Sequence, residues 1–457
     1  MRRSTVGLQL LCACAAISSF GPGSRALAQA APAAETITAG SGGTLAKGVA
    51  ADVVRDVIAA VRRNYVHPER VAAITARLQA GLASGRYAST SAHELVDRMS
   101  VDLKESSGND GHMYIYFNPA EAAARAKASP KDGDPEENAA FFREQMRVAN
   151  HGISELKILP GNVRYMNISQ WLWDPQSSPR AYDDAIRFLK DGDAIIIDIS
   201  RNGGGSAEAV EYLVSHFVEP GRKLMTFRDG PSNVEEAFSQ KVGDHLDGKP
   251  LFVLTSSRSA SASEEFASHV RNFKLGTLVG KTTGGAGNPN SLFPVAHGFV
   301  ASISTGLAIH PVTGKGWEGV GVAPHREVEP ARALDVAHAE ALKMRLASAK
   351  PSERPQLEWL IAALSDGTTA ATAGAAELHS FAGLYTGDRR VSERAGRLYW
   401  QRGDGAEVEL VPLGGTRFAV GDRFGSRVEF GTCGELTVTR PGSAPEKLSR
   451  QSQLSSR

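Results

Sequence analysis

Between Val49 and Leu103 apolar residues return at helical intervals in three successive groups: Val53, Val57, Ile58 and Val61; Ile74, Leu78 and Leu82; Leu95, Met99 and Leu103. Spacings of three and four predict amphipathic helices, each with one face for a core. The pattern then shifts. Met113 to Phe117 (MYIYF) reads as a strand, residues 120–148 as a charged helical stretch, and Ile153–Leu159 and Val163–Ile168 as alternating strands. From Asp193 the chain runs DAIIIDISRNGGG, a buried-strand pattern that ends in three glycines, and apolar residues from Ala209 to Phe217 follow at helical spacing. A second apolar run, Leu251–Leu254, ends in a serine-rich bend and an abrupt helix start. Strand, loop and helix in that order are the crossover unit of a mostly parallel sheet. Past residue 376 the period changes to two, in short runs such as Arg397–Gln401, Val408–Leu413, Arg417–Val420, Arg427–Phe430 and Leu436–Thr439, divided by Gly and Asp turns. These predict a small antiparallel β domain, set off by a Thr, Ala and Gly linker over Ser365–Ala376.

Composition places this pattern in an ordinary soluble protein. The 457 residues are 42% hydrophobic and 22% charged, enough for two or three domains. A net charge of +1 gives no broad electrostatic case for nucleic acid or for an anionic membrane. The N-terminus changes the picture more. Arg2 and Arg3 precede an apolar stretch from Val6 to Ile17, and small-x-small cleavage candidates stand at Ala26–Ala28 and Ala28–Ala30. That is the pattern of a secretory signal peptide and points to export, to the bacterial periplasm or beyond. Cys12 and Cys14 would leave with it, and Cys433 alone would remain, so no intramolecular disulfide is expected. Lipidation at Cys14 is the alternative fate of this segment. Beyond it, no stretch approaches the roughly twenty apolar residues of a transmembrane helix.

Two segments carry candidate chemistry. Ser261 stands three residues before Glu264, the spacing of a helix capping box, and the cap alone explains it. A serine there also sits beside unpaired amides at the positive end of a helix dipole, where an oxyanion is stabilised, so cap and nucleophile are both open. The triplet Gly203–Gly205 is consistent with a tight turn and with a backbone that approaches a developing negative charge closely. GTLVGKT (Gly276–Thr282) falls one residue short of a phosphate-binding loop. The twelve histidines include no H-E-x-x-H and the cysteines no paired spacing, so no metal site is expected.

Five separated segments together resemble the tail-specific or C-terminal processing serine peptidases, and more closely the branch with interphotoreceptor retinoid-binding protein and the tricorn catalytic core. They are NDGHMYIYF (109–117), DISRNGGG (198–205), TSSRSASASEEFA (255–267), VGKTTGGAGN (279–288) and WEGVGVAPH (317–325). The resemblance implies an α/β catalytic core (ClpP/crotonase-like) with a helical N-terminal domain and a small antiparallel β C-terminal domain. It implies Ser261 as nucleophile, His112 as base and Glu318 as the acid orienting it, with oxyanion amides from Ala262 and from Gly204, or Gly203 beside it. The processing-peptidase branch uses a lysine about two dozen residues after the serine, and here that register holds none; Lys281, twenty positions on, reads as a surface residue. The tricorn-like pattern has a serine before the histidine, where this chain has Gly111.

The expected order is a signal peptide (1–30), a flexible lead (31–48), a helical domain ending in the His112 loop (49–148), a peptidase core (149–345), a helix and linker (346–376) and a β domain (377–450). No cofactor is called for. The expected substrate is a peptide or unfolded protein, recognised by the core cleft because no room exists for an inserted peptide-binding module. Two alternatives use the same scaffold, a non-catalytic binder of retinoid- or lipid-like ligands and an acyl esterase.

Overall fold

The computed structural model describes residues 44–88, 91–127, 143–229, 233–365 and 374–451. The expected signal peptide with Cys14, residues 31–43 of the flexible lead and most of the linker lie outside the described residues. Three helices open the fold: α1 (Val49–Asn64), α2 (Val71–Ala83) and α3 (Ala92–Ser106). The expected apolar faces meet in one core, with Val53, Val57, Ile74, Leu78, Leu95 and Met99 fully buried, except that Leu82 turns out to solvent. Ser91 starts α3 with a capping box, its hydroxyl accepting the Glu94 amide and Glu94 accepting the Ser91 amide.

The strand expected after His112 is β1 (Tyr114–Phe117), followed by α4 (Pro119–Lys127). The edge strand β2 (Ile153–Leu159) pairs antiparallel with β3 (Val163–Ile168), α5 (Ser178–Lys190) follows, and β4 (Ala194–Asp198) lies parallel to β3. Next come α6 (Ala207–Ser215), a hairpin of β5 (Lys223–Asp229) and β6 (Asn233–Phe238), β7 (Leu251–Thr255), α7 (Ala262–Asn272) and β8 (Thr277–Gly280). A second hairpin, β9 (Asn290–Val295) and β10 (Phe299–Ser304), precedes β11 (Gly306–Ile309) and the short β12 (Arg326–Glu327). The central sheet has the order β12-β8-β7-β4-β3-β2 and is parallel except at the β2 edge. Helices cover both faces of its middle strands, which is why β4 (AIIID) and β7 (LFVLT) read as unbroken apolar runs instead of alternating.

One boundary differs from the sequence reading. The β9–β10 hairpin falls within the expected core range, yet it pairs through β10 with β1, and Phe299, Ala301 and Ile303 pack with the N-terminal helices. His112 is therefore clamped where the two parts interlock.

After α8 (Pro330–Ser348) and α9 (Arg354–Ser365) comes α10 (Ala375–Phe381), which occupies the end of the expected linker. Eight strands from Gly383–Tyr385 to Glu446–Ser449 then form one antiparallel meander in chain order. Its outer strands meet, with the Thr386 amide on the Ser449 carbonyl at 2.9 Å and the Gln451 amide on Leu384 at 2.8 Å, so the sheet is a near-barrel. Its interior is filled by side chains, and Phe381 of α10 stacks on Phe430 at one end.

Candidate active site

The site lies where β4 and β7 end, at the carboxyl edge of the central sheet. The loops that leave these strands are bonded to each other: Ser259 Oγ donates to the Ile199 carbonyl at 2.8 Å and the Ala260 amide to the Asn202 carbonyl at 3.2 Å. They set Ser261 at the start of α7 with φ 55° and ψ −122°, a left-handed value that a serine adopts only under constraint. Of the capping box expected of S-x-x-E, the half from Glu264 to the Ser261 amide forms at 3.1 Å, while the Glu264 amide donates to the Ser261 carbonyl at 2.8 Å and not to its hydroxyl. Gly204 shows how tightly the loops meet. A Cβ there would lie 2.7 Å from Ser261 Cβ, and its φ is +119°, so only glycine fits.

The amides around Ser261 sort themselves by partner. The Gly204 amide, the expected oxyanion donor, donates to Asn202 Oδ1 at 2.8 Å. The amides of Gly203 and Ala262 have no acceptor among the described residues.

Glu264, expected only as a cap residue, has a larger structural task. Fully buried, it accepts the Ser261 amide at 3.1 Å, the Thr283 hydroxyl at 2.5 Å, and the Gly285 and Ala286 amides at 2.7 Å each. Burial pushes its carboxyl above the usual range against these four donors. Glu318 holds the next part of the same loop: Oε2 accepts the Gly287 and Asn288 amides at 2.6 Å each, and Oε1 accepts the Gly111 amide at 2.9 Å. Two carboxylates thus suspend the segment 283–288 between the Ser261 turn and the His112 loop.

His112 is buried, and burial pushes its imidazole below the ordinary value against the pull of Asp110 and of the Asn288 backbone. That shift favours the neutral imidazole, the form able to accept a proton. Its Nδ1 has no hydrogen-bond partner, and no hydrogen bond joins it to Ser261 or to Glu318. The expected pairing of Glu318 with the imidazole is therefore not a direct hydrogen bond; proximity remains, because ligand atoms of Asp110, His112 and Glu318 all lie within 4.8 Å of one another. Burial, and next the charge of Asp110, push the Glu318 carboxyl up to about 8.

So compact a set has the dimensions of a metal site. Its lone pairs speak otherwise: Asp110 accepts four hydrogen bonds and Glu318 three, so a cation would have to displace donors already in place. Asp110 and Asn288 are the members that sequence reasoning missed. Asp110 and Asn288 stand inside NDGHMYIYF and VGKTTGGAGN, where no spacing singles either of them out.

Other candidates settle plainly. Lys281 pairs with Glu329 at 2.9 Å on the surface. Trp171 is buried and donates to Ser263 Oγ at 2.9 Å, which makes it a core residue. His310 is fully buried beside His269.

Residues 162–328 match the family model described as peptidase family S41, and residues 45–146 match the N-terminal domain of Peptidase_S41 in eukaryotic IRBP. The chain belongs to peptidase family S41, with an IRBP-like N-terminal domain. It is 28% identical over 134 residues to a carboxy-terminal-processing protease of Bartonella bacilliformis, covering 29% of this chain and 30% of that one. A carboxy-terminal processing protease of Bacillus subtilis is 28% identical over 147 residues, covering 32% and 30%. The matches span about a third of the length of these relatives. Among solved structures, the photosystem II D1 C-terminal processing protease covers 61% of this chain and 92% of its own, at 16% identity and a TM-score of 0.37.

Proposed function

We propose that this protein is an exported serine endopeptidase whose core is of the ClpP/crotonase kind. Ser261 Oγ attacks a peptide carbonyl while His112 takes its proton; the imidazolium then protonates the leaving amine, and water releases the acyl group by the reverse sequence. The amides of Ala262 and Gly203 receive the oxyanion, Gly203 replacing Gly204 because it has no other partner. Glu318 acts by holding the Gly111 and Asn288 amides on either side of the imidazole.

The observation that carries this reading is the conformation of Ser261. A simple cap has no need of φ 55° or of a glycine pressed against its Cβ, whereas a displayed nucleophile beside free amides does. The absence of a Ser261–His112 hydrogen bond fits a free enzyme in which the two meet only when substrate binds. Export rests on the pattern of residues 1–30.

The test is turnover of a loosely structured protein and of a peptide library, beside Ser261→Ala and His112→Ala. We expect each variant to lose at least about 10³-fold while it remains folded. Equal cleavage by wild type and variants would sink the mechanism, no cleavage at all would favour an apolar-ligand binder, and cleavage of esters alone would mark an acyl hydrolase.

A further inference from the structure

Two carboxylates approach His112, and their hydrogen bonds assign them different work. Both oxygens of Glu318 are committed to backbone amides of three loop residues. Asp110 is fully buried, and its Oδ1 accepts the amide of His112 itself at 3.0 Å and the Ser304 hydroxyl at 2.8 Å. Its Oδ2 accepts the Tyr65 hydroxyl at 3.2 Å and Asn288 Nδ2 at 3.4 Å. No lysine or arginine pairs with either carboxylate among the described residues, so two negative charges this close, without a counter-ion, oppose each other.

We propose that Asp110 is the positioning carboxylate of this site, stabilising the imidazolium that His112 becomes, that Asn288 holds Asp110 in place, and that Glu318 ties the loops. The inference rests on the Ser261–His112 reading and names the residue that tunes its base.

Asn288 is the hub of the arrangement. Its amide binds Glu318, its backbone acts on His112, and its side-chain NH₂ lies between Asp110 and His67 Nε2, the latter at 3.3 Å. An NH₂ group only donates, and turning the amide would set its oxygen against the Asp110 carboxylate. The contact therefore makes His67 Nε2 an acceptor and leaves that ring's proton on Nδ1, which faces Glu69 at 3.3 Å. His67 was not singled out by its sequence position. The charge balance agrees with the division of labour: Asp110 is the carboxylate that pulls His112 up, and Glu318 is the one that Asp110 pushes up. The titratable groups around the imidazole are Asp110, Glu318, Tyr65 and, across Asn288, His67; Glu264 lies behind the 283–288 segment.

The test compares Asp110→Asn, Asn288→Ala and Glu318→Gln with the wild-type full chain. It follows the His112 ring by NMR through a pH titration and, in parallel, the pH dependence of kcat and KM on peptide. Asp110→Asn should lower the midpoint of His112 by about one pH unit or more and cut kcat at least tenfold, with KM little changed. Asn288→Ala should move both in the same direction by less, which keeps the test alive if the buried aspartate cannot be replaced without unfolding. Glu318→Gln should leave the midpoint within a few tenths of a unit. A midpoint that follows Glu318 and ignores Asp110, or an imidazole that stays neutral across the folded range in every variant, overturns the proposal. The ring titration is readable even in a chain that cleaves nothing, so a failed peptidase reading would not be confused with a failed role for Asp110.

Discussion

At Gly111 the absence of a side chain decides what the site can be. A Cβ there would lie 2.7 Å from Ala286 Cβ and 3.0 Å from Ala286 Cα, so the relay serine of the tricorn-like pattern has no room. Glu318 instead reaches the Gly111 amide directly. Gly111→Ser should therefore cost about 1–3 kcal/mol of stability by overpacking, and lower turnover instead of completing a relay. Thermal melts and peptide assays check this; an unchanged melt with raised activity would refute it. Glu318 yields a second prediction at this scale. Its folded pKa of about 8 lies above the ordinary 4.5, so its contribution to stability is fully present below about 4.5 and is lost as pH rises through about 8. Glu318→Gln removes that titration. The variant's melting temperature relative to wild type should climb between pH 5 and pH 9, whatever fixed offset the lost acceptor oxygen brings, and a gap independent of pH would count against the raised value. Ser261 and Glu318 were legible in the sequence because each stands in a local motif. Asp110 was not, since the groups that bury it, Tyr65, Asn288 and Ser304, come from 45, 178 and 194 residues away.

At the scale of elements, the segment 283–288 is neither helix nor strand, and its order comes from two buried carboxylates. Glu264 satisfies the Ser261, Gly285 and Ala286 amides together with the Thr283 hydroxyl, and that hydroxyl in turn accepts the Val322 amide at 2.7 Å. Removing the carboxylate leaves those donors buried without an acceptor. Glu264→Ala should cost about 3 kcal/mol or more and should abolish turnover with the fold retained, because the Ser261 turn and the wall beside His112 loosen together. Glu264→Gln, which keeps one acceptor oxygen, should fall between; equal stability of all three chains by denaturant titration would show that the loop is held by something else. The capping spacing made this glutamate visible, but a cap engages one amide, and nothing in S-x-x-E announces three further donors from a loop about twenty residues on. Those strands of the sheet and of the near-barrel that the sequence reading named were legible to within a residue or two, because apolar runs and alternation report burial directly, whereas β8, β12 and the first, second and last near-barrel strands went unread. Alternation does not report the partner strand, and so the β9–β10 hairpin read as core when its register places it against β1.

For the whole molecule the open question is how the near-barrel is joined to the catalytic part, since no site residue comes from it. The turn at Arg423 and Phe424 makes much of the join, and Arg427 of the next strand adds to it by lying over the Trp359 ring of α9 at 4.3 Å. Arg423 engages Asp335 of α8 through both guanidinium nitrogens, with one contact at 2.8 Å. The Phe424 carbonyl accepts Trp359 Nε1 of α9 at 3.1 Å, while the Phe424 ring meets His338 edge-on at 6.0 Å and packs against the α8–α9 side of the central sheet. That side lies across the sheet from α7 and Ser261. The Arg423 fork and the Phe424 ring are the contacts of this join that reach α8, and two substitutions remove both while leaving Arg427 on Trp359. The double variant Arg423→Ala, Phe424→Ala should resolve a single calorimetric transition into two, with the barrel retaining its own because its core of Leu398, Phe418, Val428, Phe430 and Leu436 is self-contained. Peptide turnover below the first transition should stay within about twofold of wild type, as expected for changes distant from the site. If turnover instead collapses while both transitions persist, the barrel acts on the site through α8, whose N-terminus follows β12 and whose neighbour Glu329 pairs with Lys281 at the edge of the catalytic loops. That outcome would make the near-barrel a part of the catalytic apparatus and not an appended domain.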